Sequence, residues 1–293
     1  MHKSTTVSLL TKQTMISSTD LSIDLREGDC RVVLPTLPAD SVDLMITSPP
    51  YADSRKKSYG GIAPDQYVGW FMPIADALRR VLKPSGSFVL NIKEKTVNGE
   101  RSLYVIELIQ ALRQSGWLWT EEYIWCKKNA FPGKWPNRFR DSWERLLHFT
   151  KSRQFAMYQD AVRIPTAVST RQRTARLSGR DWQRRTSQTQ SGFGANQSHW
   201  LGRDTVYPSN VLHLATECAN QKHSAAFPER LPEWFIKLFT VPGDLVLDPF
   251  LGSGTTGLVC RRMDRRFIGI EILPEFIALA RGRIFSNQHQ QLF

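Results

Sequence analysis

Short apolar runs alternate along the chain with longer stretches in which apolar residues recur at helical spacing. Val42 to Thr47 is apolar enough, over strand length, for a position buried on both faces of a parallel sheet. Ile23-Asp24-Leu25, Ser87 to Ile92, Leu245 to Leu247 and Phe267 to Glu271 predict further strands. Tyr123-Ile124-Trp125 and Arg145 to Phe149 predict two more. Between them, Arg31 to Leu37 predicts a short helix stopped by Pro38. Tyr67 to Leu82 places Phe71, Ile74, Ala75, Leu78, Val81 and Leu82 on one helical face and ends at Lys83-Pro84-Ser85-Gly86. Helices are also predicted over Leu103 to Gln114, Pro232 to Leu238, Thr256 to Met263 and Pro274 to Ile284. Strands alternating with helices predict an α/β fold on a doubly wound, mostly parallel sheet.

One stretch breaks this rhythm. Between Lys151 and Tyr207 there are ten basic residues and three acidic ones, many Gln and Asn, and little hydrophobic periodicity. Such a segment cannot easily build its own core. It reads either as a disordered basic loop or as an insertion that contacts DNA, where Arg and Lys neutralise phosphates and Arg, Gln or Asn read base edges. In the second reading Arg171, Arg173, Arg180, Arg184 and Arg185 face the duplex, while Trp182 and Trp200 stack, wedge or pack within the insertion. The chain then divides into an N-terminal arm (1–20), one half of an α/β domain (21–150), the basic insertion (151–207) and the second half (208–293). The formal charge of +12 and pI of 9.8 favour a polyanionic partner, DNA or an anionic membrane. No apolar run is long enough for a membrane span, and the N-terminus lacks a secretory apolar region, so a cytoplasmic protein is expected. Cys30, Cys126, Cys218 and Cys260 lack metal-ligand spacing and are read as free thiols; no metal site is expected.

Two strings break strands abruptly into loops, at the edge where open α/β sheets bind ligands. The later one is Asp248-Pro249-Phe250-Leu251-Gly252-Ser253-Gly254-Thr255-Thr256-Gly257. Its glycines fit the weak pattern G-x-G-x-x-G, which a purely structural turn also satisfies. Glycines let a ligand approach the backbone, and the following helix N-terminus offers N–H groups to an anion. Glu271, ending the next strand, is placed to accept from ribose hydroxyls. A nicotinamide site starts its glycines directly at the strand end, whereas Asp248 and Phe250 intervene here. The acid suits a ligand ammonium group and the ring an aliphatic or sulfonium part. S-adenosylmethionine carries both, which favours methyl transfer over hydride transfer.

The earlier string is Ser48-Pro49-Pro50-Tyr51. An exocyclic amino group of cytosine or adenine is a poor nucleophile, because its lone pair is delocalised into the ring. Acceptors for both N–H groups restore that lone pair, and the Ser48 hydroxyl and Pro49 carbonyl supply two. Pro49 and Pro50 fix the turn and remove competing donors. Tyr51 offers a face to a base extruded from the duplex. Alone, the string is also an ordinary Pro-Pro turn.

With these motifs in order, the chain resembles the DNA amino-methyltransferases of restriction–modification systems in their β arrangement, from about Leu21 to Phe285. There the catalytic half comes first, a target-recognition region follows, and the cofactor half comes last. The resemblance implies that Gly28-Asp29-Cys30 carries the acid, Asp29, that contacts the cofactor adenine. It implies that His223 to Pro228 lines the methionine pocket, Phe227 giving its ring, and that Trp125 forms a second wall for the base. Ser at the head of S-P-P-Y is typical of N4-cytosine enzymes and Asp of most N6-adenine enzymes, so cytosine N4 is expected and adenine N6 stays open. A protein that binds nucleic acid without chemistry is a further alternative. Arg138 and Arg140 sit in Trp135-Pro136-Asn137-Arg138-Phe139-Arg140, read equally as a phosphate contact or a solvated turn. Double-stranded DNA is the implied partner; the resemblance leaves a homodimer and a cognate endonuclease open. The basic segment matches no known recognition region, which leaves the target sequence open.

Overall fold

The computed structural model describes residues 23–54, 60–130, 133, 136–176, 203–216 and 227–286. The first half contains β1 (Ile23–Glu27), α1 (Cys30–Val33), β2 (Val42–Thr47), α2 (Pro64–Val81) and β3 (Leu82–Ile92). A small hairpin, β4 (Thr96–Val97) and β5 (Glu100–Arg101), precedes α3 (Tyr104–Gln114), β6 (Leu118–Lys127) and β7 (Trp143–Thr150). Next come β8 (Ile164–Pro165), α4 (Val168–Ala175), β9 (Thr205–Val206) and β10 (Val211–Leu214). The chain closes with α5 (Arg230–Phe239), β11 (Leu245–Asp248), α6 (Thr255–Arg262), β12 (Arg266–Glu271) and α7 (Pro274–Phe285).

Eight strands form one sheet in the order β1-β12-β11-β2-β3-β7-β6-β10. Only β7 runs against its two neighbours; the other pairings are parallel. The carboxyl ends of seven strands therefore share one edge, together with the start of β7. Near the middle, β11 from late in the chain pairs with β2 from early in it. That break in strand order is where an α/β sheet opens a crevice.

Alternation along β2 explains why it lies between two layers. Met45 joins a cluster with Phe71, Leu78, Leu108 and Trp117, while Leu44 and Ile46 join one with Phe235, Phe239, Leu258 and Phe267 on the other face. Each fully buried side chain of this size contributes about 1.5–3 kcal/mol.

The predicted elements shift at identifiable places. Pro64 occupies the first turn of α2, where its missing N–H costs nothing, so that helix begins earlier than Tyr67. β3 begins at Leu82, and Lys83 to Gly86 form an irregularity against β2 rather than a helix end. The helix expected over Arg31 to Leu37 is split into α1 and a 3₁₀ turn, Leu34–Thr36. β6 extends back to Leu118 through exposed Trp119, Thr120 and Glu121; it pairs with β10 only from Ile124, so this part has the polar character of an open edge.

The start of the basic segment lies on the body. The Ala156 N–H donates to the Ser85 carbonyl at 2.9 Å, and the Tyr158 N–H to that of Leu238 at 2.6 Å. Phe155 meets His148 and Phe239, and the buried His148 imidazole is pushed down to about 3 by burial, which keeps it neutral and structural. β8 and β9 pair as an antiparallel ribbon. Arg180, Arg184, Arg185, Trp182, Trp200, His199 and Cys218 lie outside the described residues.

Candidate active site

A cavity of about 890 Å³ opens at the carboxyl edge and is lined by both strings together. Ser48, Pro49, Pro50 and Tyr51 lie on one side of it, Asp248, Phe250, Gly252 and Thr255 on the other. Asp29, Glu271, Trp125, Phe227, Arg138 and Arg140 also line it. Residues from opposite ends of the chain thus reach one space because β2 and β11 are neighbours.

The seam between them is a buried hydrogen bond. Thr47, ending β2, donates its hydroxyl to Asp248 Oδ1 at 2.6 Å, and Thr256 donates to Oδ2 at 2.8 Å. The Phe250 N–H adds a third bond, to Oδ1 at 3.1 Å. Burial raises the Asp248 carboxyl to about 6 although these donors favour its charged form. Thr256 therefore serves Asp248 and does not line the cavity. Gly254 does not line it either. Its φ of +81° suits glycine, and a Cβ there would stand 2.7 Å from the Ala280 Cβ, so it lets α6 approach α7.

Glu271 is held by backbone donors: Gly252 N–H to Oε2 at 2.9 Å, and Ile272 and Leu273 N–H to Oε1 at 3.0 and 3.1 Å. Asp29 caps α1 through the Arg31 N–H at 2.8 Å and pairs with the Arg31 guanidinium, whose hydrogen bond holds the carboxyl below its ordinary range. Phe250 leans on Trp70 of α2, ring centroids 5.9 Å apart.

Around the proline turn, Tyr67 donates to the Pro50 carbonyl at 3.0 Å, and among the described residues no donor takes that of Pro49. The Ser48 hydroxyl donates to Tyr51 Oη at 3.2 Å. Tyr51 Oη lies 2.6 Å from Glu144 Oε2 and 3.1 Å from Asn91 Oδ1. Burial, with the charge of Glu144, raises the Tyr51 phenol well above its ordinary value, so it stays protonated. Trp125 is buried; its indole N–H donates to the Leu214 carbonyl at 3.1 Å, and the Lys127 ammonium lies 4.8 Å from the centre of its ring.

At the mouth, Asp141 gathers Lys93, Arg101 and Arg138 at 3.2, 2.6 and 3.2 Å. Burial works against its charge, but the Arg101 bond and the Lys93 charge outweigh it and lower the carboxyl. Arg140 donates to the Ala130 carbonyl at 3.2 Å, and Phe139 between the two arginines is 94% exposed. Arg171 stands apart on α4, exposed and near Asp204; Arg173 lies on the same helix, its side chain outside the described residues.

Sequence reasoning missed Thr47, Trp70, Asn91, Lys127 and Glu144. Asn91 had a signal, being an amide inside the apolar run Ser87 to Ile92. Glu144 had none, because its meaning depends on the direction of β7.

This strand order with one reversed strand, carrying a crevice between β11 and β2, is the fold of S-adenosylmethionine-dependent methyltransferases. The solved structure of the cytosine-N4-specific PvuII DNA methyltransferase matches it at TM-score 0.66 and 28% identity, over 91% of this chain and 88% of that one. The M1.HpyAVI–SAM complex shares the fold at TM-score 0.57 and 21% identity, over 90% of this chain and 100% of its own. The family described as DNA methylase matches residues 42–282, and the chain belongs to it. Among relatives, type II methyltransferase M.PvuII of Proteus hauseri is 31% identical over 281 residues, 89% of this chain and 83% of its own. M.Cfr9I of Citrobacter freundii is 30% identical over 296 residues, 89% of this chain and 87% of its own.

Proposed function

We propose that this protein methylates the exocyclic N4 amino group of a flipped-out cytosine at a specific site in double-stranded DNA, with S-adenosylmethionine as methyl donor. The observation that carries the reading is one cavity shared by the Ser48–Tyr51 turn and the glycine loop, joined by the Thr47–Asp248 bond. The similarity to the type II methyltransferases M.PvuII and M.Cfr9I, and the cytosine-N4 specificity of the PvuII enzyme, support it.

The residues present fit such a donor. Carboxylates of Asp29 and Glu271 line the cavity near β1 and β12, where nucleoside hydroxyl and amino groups find acceptors. Phe227 and Phe250 supply apolar walls, Gly252 and Thr255 a close backbone approach, and Asp248 an acid for an ammonium group. When bound, S-adenosylmethionine supplies an electrophilic methyl group.

On the other side, Ser48 Oγ and the Pro49 carbonyl accept the two N–H groups of the substrate amine, which turns its lone pair toward the donor. Tyr51 and Trp125 supply ring faces to the base. Extruding a base costs on the order of a few kcal/mol, which stacking and phosphate contacts offset. Arg138, Arg140 and the exposed Phe139 at the mouth suit the duplex beside the extruded base. Residues 151–207, with Arg171, Arg173, Arg180, Arg184 and Arg185, form the target-recognition insertion. In this reading residues 1–20 are an arm, and 21–150 and 208–293 the catalytic and cofactor halves, in the β arrangement. The chain order supports that arrangement, since the strand before the proline turn comes first and the strand before the glycine loop comes late.

No described helix is long and apolar enough to cross a membrane. We extend the proposal to a cytoplasmic enzyme with a companion endonuclease for the same site, supported by the type II designation of the relatives. Self-association into a homodimer is part of the same reading and is read by analytical ultracentrifugation.

The test is mass spectrometry of nucleosides from duplex DNA incubated with the protein and methyl-labelled donor. Labelled N4-methylcytosine is expected. Labelled N6-methyladenine would overturn the choice of base, and no labelled base at all would overturn the activity.

A further inference from the structure

We propose that Glu144 is a positioning residue that fixes the Ser48 hydroxyl as a hydrogen-bond acceptor toward the substrate amine, acting through the hydroxyl of Tyr51; this rests on the methyl-transfer reading above. A serine hydroxyl can donate or accept. Were its proton to point at the substrate nitrogen, it would oppose the two N–H groups it must receive. Something has to hold that proton elsewhere.

The chain of contacts does so in a fixed direction. Glu144, 6% exposed, presents Oε2 to Tyr51 Oη at 2.6 Å, and its Oε1 pairs with the Lys127 ammonium. A carboxylate only accepts, so the single Tyr51 proton belongs to it. The neutral Asn91 Oδ1, at 3.1 Å, competes poorly with a charged acceptor at shorter range. The Asn91 side chain also donates to the same Oε2 at 3.1 Å, which pins the carboxylate in place. With its proton committed, Tyr51 offers Ser48 only lone pairs, and Ser48 donates to it at 3.2 Å. Both lone pairs of Ser48 are then left for the cavity. No proton leaves any of these residues; the carboxylate sets a direction and takes no part in bond making.

Replacing the carboxylate by an amide removes that direction. A glutamine can donate to Tyr51, whose proton is then shared between Asn91 Oδ1 and Ser48, so the Ser48 proton is no longer held away from the cavity.

The experiment is steady-state methylation of duplex DNA by wild type, Glu144→Gln, Tyr51→Phe and the double variant, with donor affinity measured by calorimetry. Glu144→Gln is expected to lower kcat by about 10²-fold, the effect of losing one preorganised polar contact in a water-excluded site. Its KM for DNA and its donor affinity stay within about twofold, since the reoriented Ser48 proton faces only the substrate amine and leaves the contacts to the donor and the duplex untouched. The double variant is expected to be no slower than Tyr51→Phe alone, because the carboxylate has no route to Ser48 without the phenol hydroxyl. Multiplying losses in the double variant would mean that Glu144 acts on the substrate directly, and would overturn the proposal. Should Glu144→Gln fail to fold, Tyr51→Phe decides: wild-type kcat in that variant overturns the proposal, and a loss in kcat at unchanged KM supports it. A wild-type protein that methylates no DNA base overturns the underlying reading and the proposal with it, whereas an active wild type with multiplying losses overturns the proposal alone.

Discussion

Replacing Thr47 by valine removes one hydroxyl at nearly constant volume, so the change isolates the bond that joins the two halves of the site. Thr47 is fully buried and donates at 2.6 Å to a carboxylate that has two further donors, the Thr256 hydroxyl and the Phe250 N–H. A hydrogen bond to a charged group contributes about 1.5–3 kcal/mol, and one to a neutral carboxyl about 0.5–1.5 kcal/mol. Which value applies depends on pH, because Asp248 titrates at about 6 in the folded chain against 3.8 for an ordinary aspartate. The sign follows from that upward shift. Asp248 contributes most to stability below the free value and loses that contribution as pH rises through about 6. The Thr47 hydroxyl limits the loss by favouring the charged form. Thr47→Val is therefore expected to destabilise by about 2–3 kcal/mol at pH 8, where Asp248 is charged, and by about 1 kcal/mol at pH 5, where it is mostly protonated. Urea unfolding at both pH values measures the difference, with an unchanged m value as the check that only stability moved. Equal losses at the two pH values, or less than about 0.5 kcal/mol at pH 8, would refute the reasoning, since either would mean that the hydroxyl does not support the charge.

Other expectations follow from the same geometry. Ser48→Ala should lose methylation by about 10²-fold or more in kcat while donor affinity measured by calorimetry survives, and an unchanged turnover would remove Ser48 from the chemistry. Affinity for S-adenosylmethionine should rise with pH through about 6 and level off above it, because an Asp248 that meets a cation must first lose its proton; a flat profile between pH 5 and 8 would place the cation elsewhere. Gly254→Ala should cost roughly 2–4 kcal/mol, the sum of a left-handed backbone and overpacking against Ala280, read as a fall in Tm by calorimetry. Arg140→Ala should weaken DNA binding and reduce the slope of log affinity against log salt by about 0.9, and an unchanged slope would show that Arg140 touches no phosphate.

The sequence carried those parts of the molecule that are local. The run before Ser48 and the run before Asp248 each have strand length, end in loop residues and are buried on both faces, so their role was readable from periodicity alone. The helix faces of α2 and α3 were readable for the same reason. What escaped was pairing. Nothing in Thr47 or Glu144 announces a partner 201 or 93 positions away, at Asp248 and Tyr51. The start of β6 was hidden by its open edge, where Thr120 and Glu121 face water and read as loop. β10 was hidden by its four-residue length beside a basic, unpatterned segment. Gly254 and Thr256 were legible as members of a motif, but their contacts with Ala280 and Asp248 depend on the packing of α6.

The reversal of β7 has a consequence for how such a protein can change. A parallel crossover would carry the chain under the sheet and through a helix before returning. Because β7 runs backwards, β6 ends and β7 begins at the reactive edge, and the described residues Asn129, Ala130, Arg138, Arg140 and Asp141 of the connecting loop line the cavity. A loop of that kind can lengthen, shorten or exchange residues without disturbing any buried layer. Arg138, Phe139 and Arg140 belong to it, whereas Glu144 is the second residue of the strand that anchors it. The parts that meet the outside world are thus free to drift, while the part that orients the chemistry is tied into the sheet. Substitutions at Arg138, Phe139 and Arg140 can alter the mouth of the cavity while Glu144 keeps its place in β7.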